Sequence, residues 1–181
     1  AEREKIEVPA PGAADSAVTI RAKIDGTVQE MDLDAYLQGV LRAEMPASFA
    51  LEALKAQAVA ARTETLYKVE NGPVANHPDA EAAREAWGAD AAYYSDKIAA
   101  AVRSTDGMTI LYENKPILAA FFSSASGQTN PSGDVWVNDL PYLQSVKSPE
   151  GEGEVPNYYS VASFSQEEFR RRFLEKHPEA R

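Results

Sequence analysis

From Leu33 onward, Leu33, Tyr36, Leu37, Val40 and Leu41 recur at the three- and four-residue spacing of a single helix face. Asp32 stands where a capping oxygen is needed, and Pro46 pushes Met45 out of helical geometry, so the pattern predicts a helix from the Asp32 cap through Met45. A second helix is predicted from near Ala50 to about Asn71, rich in Ala, Leu, Glu, Lys and Gln, with Asn71-Gly72-Pro73 as its stop. After the loop "NHPDA" comes a short helix. The stretch "DAAYYSDKIAAAVRSTDG" then reads as an amphipathic helix with Ile98, Val102 and Tyr94 facing inward, stopped at Gly107. A terminal helix is predicted in "FSQEEFRRRFLEK", where Ser165 and Glu168 have the spacing of a capping box.

The rhythm is different elsewhere. "AVTIRAKIDGTVQEM" gives two short runs about Asp25-Gly26, a hairpin signal. "MTILYENKPILAAFF" gives two β-rich runs about Glu113-Asn114, and "PYLQSVKSP" reads as a short strand. Between them "SSASGQTNPSGD" is a loop of small polar residues. Residues 1–15 lack apolar periodicity and are Pro-, Gly- and Ala-rich, so they read as a flexible tether ahead of a single domain over 16–181. The order of elements predicts an α+β fold, with long helices packed on a small antiparallel sheet.

The 181 residues suffice for one real core, and 44% hydrophobic content is ordinary for a globular chain. No apolar run approaches the roughly 20 residues of a membrane-spanning helix, and no signal peptide opens the sequence. A net charge of -10 argues against nucleic acid as a partner, because phosphate binding draws on clustered Lys and Arg. The one basic cluster, Arg170, Arg171 and Arg172, reads as a solvated helix face. Absence of cysteine removes disulfides, thiolate metal sites and thiol nucleophiles.

Two charged residues break the helical pattern. Glu44 is the next position on the stripe of Leu37, Val40 and Leu41, in the last turn of its helix. There the free carbonyls disfavour a carboxylate by roughly 0.3–1 kcal/mol. Burial beside Val40, Leu41 and Met45 would act in the same direction, leaving a neutral acid able to protonate a glycosidic oxygen. Alternatively, Glu44 reaches water past the helix end or pairs with an arginine. Arg62 lies beside the stripe of Leu51, Leu54, Ala58, Ala61 and Thr65, and either serves the helix seam or holds substrate. Direct pairing of Arg62 with Glu44 would favour the ionised carboxylate and spoil an acid role.

Taken together, "DLDAYLQGVLRAEMPASFALEALKAQAVAARTE", "HPDA" with a nearby "AW", "TDGMTILYENKPILAAFFSSASGQTNPSGDVW" and "PYLQSVKSP" resemble the stage II sporulation protein D family. The resemblance runs from about Met31 to Pro149, in family order, and its helical pattern "YLxGVLxxEMPxSFxxEALKAQAxAART" is long and specific. It implies a peptidoglycan lytic transglycosylase with a substrate groove, cleaving the β-1,4 bond from N-acetylmuramic acid to N-acetylglucosamine and leaving a 1,6-anhydro product. The glutamate of the family's "EMP" corresponds to Glu44, and the arginine of "AART" to Arg62. Such a reaction needs one carboxyl group rather than the usual two, because the sugar's own 6-hydroxyl is the nucleophile. Glu44 would act as acid and then as base. Ser123, Ser124, Ser126, Gly127, Gln128 and Thr129 are the expected substrate-binding groups of the polar loop, and Trp136, Tyr142 and Tyr112 are candidate stacking surfaces for sugar rings.

Many members carry Cys and His after the second long helix in a pattern such as "HPxADxCxxxxHCQAW", which can bind zinc. This chain keeps His77-Pro78-Asp79-Ala80 but has no cysteine there, and one imidazole is not a zinc site, so neither a metal nor any other cofactor is expected. His77 and His177 read as loop or surface residues. The resemblance implies glycan strands of peptidoglycan as the partner, together with other cell-wall hydrolases or a membrane-bound assembly. It also implies an extracytoplasmic location, with a membrane anchor in a segment absent from this chain. Relatives are also described as amidase enhancers, so a non-catalytic glycan-binding or amidase-enhancing role is the alternative.

Overall fold

The computed structural model describes residues 5–24, 26–69, 80–125, 127–151, 155 and 160–180, with only the backbone at 80, 81, 83 and 84. The chain forms two compact units, Ala1–Phe121 and Phe122–Arg181, where the sequence suggested one domain over 16–181.

In the first unit a helical turn, α1 (Ala13–Ser16), leads into β1 (Thr19–Ile24) and β2 (Thr27–Asp32). The two strands pair antiparallel from Thr19 opposite Asp32 to Ile24 opposite Thr27. Alternation along β1 points Ile20 and Ala22 into the core, whereas β2 is largely exposed. Asp25 of the expected turn lies outside the described residues, and Gly26 takes the positive φ of 82° that the turn requires.

Asp32 ends β2 and caps α2 (Leu33–Glu44), its carboxylate accepting from Ala35 N at 2.7 Å. After Pro46 comes α3 (Leu51–Val69), then α4 (Ala80–Trp87), a short 3-10 turn (Gly88–Asp90) and α5 (Ala91–Arg103). The helices α2, α3 and α5 pack against one another. Leu33, Leu37 and Leu41 from α2 meet Leu54 and Ala58 from α3 and Ile98, Ala101 and Val102 from α5 in one buried cluster. Alanines on two of the three helices leave room for close packing, because interaxial distance follows side-chain size at the contact. Trp87 and Tyr94 meet edge to face, with ring centroids 5.7 Å apart, at the margin of this cluster.

A tight ribbon ends the unit: β3 (Leu111–Tyr112) pairs with β4 (Lys115–Pro116). Glu113 and Asn114 form the connection with φ of 50° and 62°. The β-rich runs about this turn are therefore realised only over two residues each.

In the second unit β5 (Gly127–Gln128) pairs with β6 (Lys147–Ser148), and a turn of helix, α6 (Ser132–Val135), lies between them. The terminal helix is α7 (Gln166–Lys176). Ser165 Oγ accepts from Glu168 N at 3.1 Å, as the capping box predicts, while the Glu168 carboxylate turns to Arg172 at 2.8 Å. The fold is α+β as the sequence indicates, its sheets among the described residues being three separate two-stranded antiparallel ribbons. Among the described residues no helix is long and apolar enough to cross a membrane.

Candidate functional site

Glu44 is the last residue of α2, and the chain leaves the helix at once. Met45 is extended, with φ of -139° and ψ of 133°, its N–H still bonded to Leu41 O at 3.2 Å. Phe49 N then donates to Pro46 O at 3.0 Å, closing a turn that carries Ala47 into the core. The buried stripe of α2 stops at Leu41, and Glu44 is exposed. Of the two placements open to Glu44, burial beside Val40, Leu41 and Met45 or a reach to water past the helix end, the structure shows the second. With the helix finished and Pro46 turning the chain, the small Ala47 takes the inward place and the glutamate points past the helix end. Among the described residues no hydrogen bond or ion pair reaches its carboxylate.

Arg62 does not meet Glu44. Its side chain is 1% exposed, and its Nε and Nη2 fork onto the carboxylate of Asp15 at 2.8 and 2.7 Å. The rest of the guanidinium is taken up as well, Nη2 donating to Val102 O at 3.1 Å and Nη1 to Met108 O at 3.2 Å. A planar fork with each nitrogen engaged has no donor to offer a sugar. Of the two uses open to Arg62, the helix seam or substrate, the buried contacts show the first. The side chain joins α3 to the end of α5 and to the segment around α1.

That segment also corrects the tether at its far end. Asp15 is 2% exposed, and Asp106 holds the start of α1 by accepting from Ala14 N at 3.1 Å and Asp15 N at 2.8 Å. The residues after Arg62 extend the same framework. Thr63 Oγ1 accepts from Ile110 N at 3.0 Å, and Glu64 accepts from Ala119 N at 3.0 Å. Asp15, Thr63, Glu64 and Asp106 carry no sequence signal for these roles, because each partner lies more than 40 positions away along the chain and only the tertiary fold brings the pairs together.

The other expected substrate-binding residues fall in two groups. Tyr112, in the first unit on β3, is 40% exposed. In the second unit Ser123 and Ser124 are exposed, Ser126 lies outside the described residues, and Gly127 takes a φ of 91° with open space where a Cβ would stand. Gln128 and Thr129 are engaged by the ribbon itself: Gln128 Nε2 donates to Ser145 Oγ at 2.7 Å, and Thr129 Oγ1 accepts from Val146 N at 2.9 Å. Trp136 stands 43% exposed after α6, and Tyr142 is half-buried. His77 lies outside the described residues, and His177 is exposed beside Glu179.

The family model described as SpoIID, stage II sporulation protein, matches residues 22–112, a stretch that lies within the first unit and contains both Glu44 and Arg62. Stage II sporulation protein D of Bacillus amyloliquefaciens is 36% identical over 161 residues, covering 81% of this chain and 46% of the relative. Stage II sporulation protein D of Bacillus subtilis is 32% identical over 195 aligned positions, covering 94% of this chain and 57% of the relative. An amidase enhancer of Bacillus subtilis is 40% identical over 111 residues, 61% of this chain and 15% of that protein. The chain thus spans about half the length of the curated sporulation relatives it matches. On the family match across half its residues, the chain belongs to the stage II sporulation protein D family.

Proposed function

We propose that this chain is an extracytoplasmic cell-wall protein that acts on peptidoglycan as a lytic transglycosylase, with Glu44 as acid and then base. The observation that carries the reading is the family match over residues 22–112, which contains Glu44 at the end of a helix whose other face is locked into the core. Arg62, the buried cation of the neighbouring helix, is committed to Asp15 and does not pair with Glu44. In the reaction the Glu44 carboxyl group gives its proton to the glycosidic oxygen as the bond from that oxygen to the anomeric carbon breaks. The sugar's 6-hydroxyl oxygen then bonds to that carbon, and its proton passes to the Glu44 carboxylate, restoring the acid. Tyr112 on β3 is proposed as a glycan contact of the first unit, and, separately, Ser123, Ser124, Ser126, Gly127, Trp136 and Tyr142 as glycan contacts of the second.

A second reading is favoured by the exposure of Glu44, since the fold itself does not withdraw this carboxylate from water. On that reading the chain binds glycan and enhances an amidase without cleaving anything, as the name of the amidase enhancer relative suggests for that protein. Mass spectrometry of products from purified glycan strands separates the two, because an anhydro end and a reducing end differ by one water. The transglycosylase reading expects anhydro-muramoyl fragments from the parent chain and none from Glu44→Gln. Equal release by both proteins rules out the catalytic assignment.

A further inference from the structure

Lys97 is 6% exposed on the inner face of α5, among Ile98, Ala101 and Val102. An apolar side chain would fill this place without the penalty of taking an ammonium out of water, so the charge must be used for something. Its Nζ donates to the backbone carbonyl of Phe49, in the connection between α2 and α3. Phe49 is also the residue whose N–H closes the turn onto Pro46 O at 3.0 Å. On one side of that turn Met45 N is held by Leu41 O at 3.2 Å, and on the other Leu54 N is held by Ala50 O at 3.1 Å. Glu44 is followed directly by this turn, so the turn that Phe49 closes sets the course of the chain as it leaves α2. The Phe49 carbonyl lies in the connection two residues ahead of α3, and the ammonium supplies it a donor from the neighbouring helix.

We propose that Lys97 is a positioning residue for Glu44, holding the Pro46–Phe49 turn from α5 so that the carboxylate is presented in one direction. The inference rests on the reading of Glu44 as acid and base, and its test has an arm independent of that reading. In the full chain, Lys97→Met keeps the length of the stem and removes the donor, while Lys97→Arg keeps a donor. Lys97→Met should speed hydrogen exchange of the Ala47, Phe49 and Ala50 amides by about ten-fold, leaving those of Leu37 to Leu41 and Ile98 to Val102 at parental rates. On purified glycan strands its kcat should fall by about ten-fold with KM within about two-fold, and Lys97→Arg should recover most of the loss. Unchanged exchange in the turn of a folded Lys97→Met protein overturns the proposal, as does an equal loss of protection throughout α2, α5 and the turn. If the parent chain releases no anhydro product, the reading of Glu44 falls, and the exchange arm alone still decides whether Lys97 holds the turn.

Discussion

Arg62 and Asp15 form an ion pair sealed from solvent, with Nη2 2.7 Å from Oδ2 and side chains 1% and 2% exposed. A buried pair is weak evidence of net stabilisation, but removing one partner strands the other charge in the core. Asp15→Ala or Arg62→Met should therefore lower stability by about 3–5 kcal/mol, read from urea denaturation midpoints. Deleting residues 1–16 should act like Asp15→Ala, although sequence composition marks most of that segment as a tether. A loss below about 1 kcal/mol in all three would mean that the pair is hydrated in solution.

Gly12 gives a second, independent handle on the same segment. A Cβ built there would fall 2.0 Å from Asp106 Cγ, the carboxylate that holds Ala14 N and Asp15 N. Its φ of -76° suits any residue, so the requirement for glycine is close approach rather than backbone conformation. Gly12→Ala should displace Asp106 and cost about 1–3 kcal/mol, the range for leaving partly buried polar groups without partners. Thermal melts of the variant beside Asp106→Ala check this. If the Asp106 carboxylate is the main object of the clash, the double variant should lose less than the sum of the two single losses, the Asp106 Cβ at 2.5 Å still being met.

The helical half of the fold was legible because its signals are local. Asp32, Pro46 and the stripe from Leu33 to Leu41 fix α2 within a dozen residues, and the structure ends the helix at Glu44, one residue short of the prediction. The sheet was less legible: the apolar run of Ile117 to Phe122 looks like a strand, yet only Lys115 and Pro116 of that region join a ladder. Pairing in a sheet depends on a partner strand, and periodicity along one segment cannot supply it. At the candidate site the family resemblance selected Glu44 and Arg62, and burial then separated them. Helical spacing put both on or beside apolar stripes, but whether a stripe position is covered depends on where the next segment goes. Pro46 led it away from Glu44, and α1 brought it over Arg62.

Exposure of Glu44 makes a stability prediction as well as a functional one. With no partner among the described residues, Glu44→Gln removes a charge and little else, so stability should change by less than about 0.5 kcal/mol. A melt within that margin would allow any loss of activity in the variant to be assigned to chemistry rather than folding. A larger drop would show that the carboxylate holds part of the fold.

Tyr36 supplies the pH dependence. Burial on α2, where it is 4% exposed, pushes its phenol from the ordinary 10.0 up to about 12, with the hydrogen bond to Thr65 opposing the shift. Above pH 10 the unfolded chain has released this proton while the folded chain still holds it, so the unfolded state binds fewer protons and stability falls as pH rises. The contribution is fully present below pH 10 and is lost on approaching pH 12, amounting to about 2–3 kcal/mol for a shift of this size. Tyr36→Phe should lose about 1 kcal/mol at neutral pH with the Thr65 bond, yet show a shallower decline in the alkaline window. Urea midpoints of the parent and the variant measured from pH 8 to pH 12 make the comparison, and subtracting one curve from the other removes the contribution of the remaining tyrosines. Parallel curves would mean that solvent reaches the Tyr36 hydroxyl and that its ionisation is not coupled to unfolding.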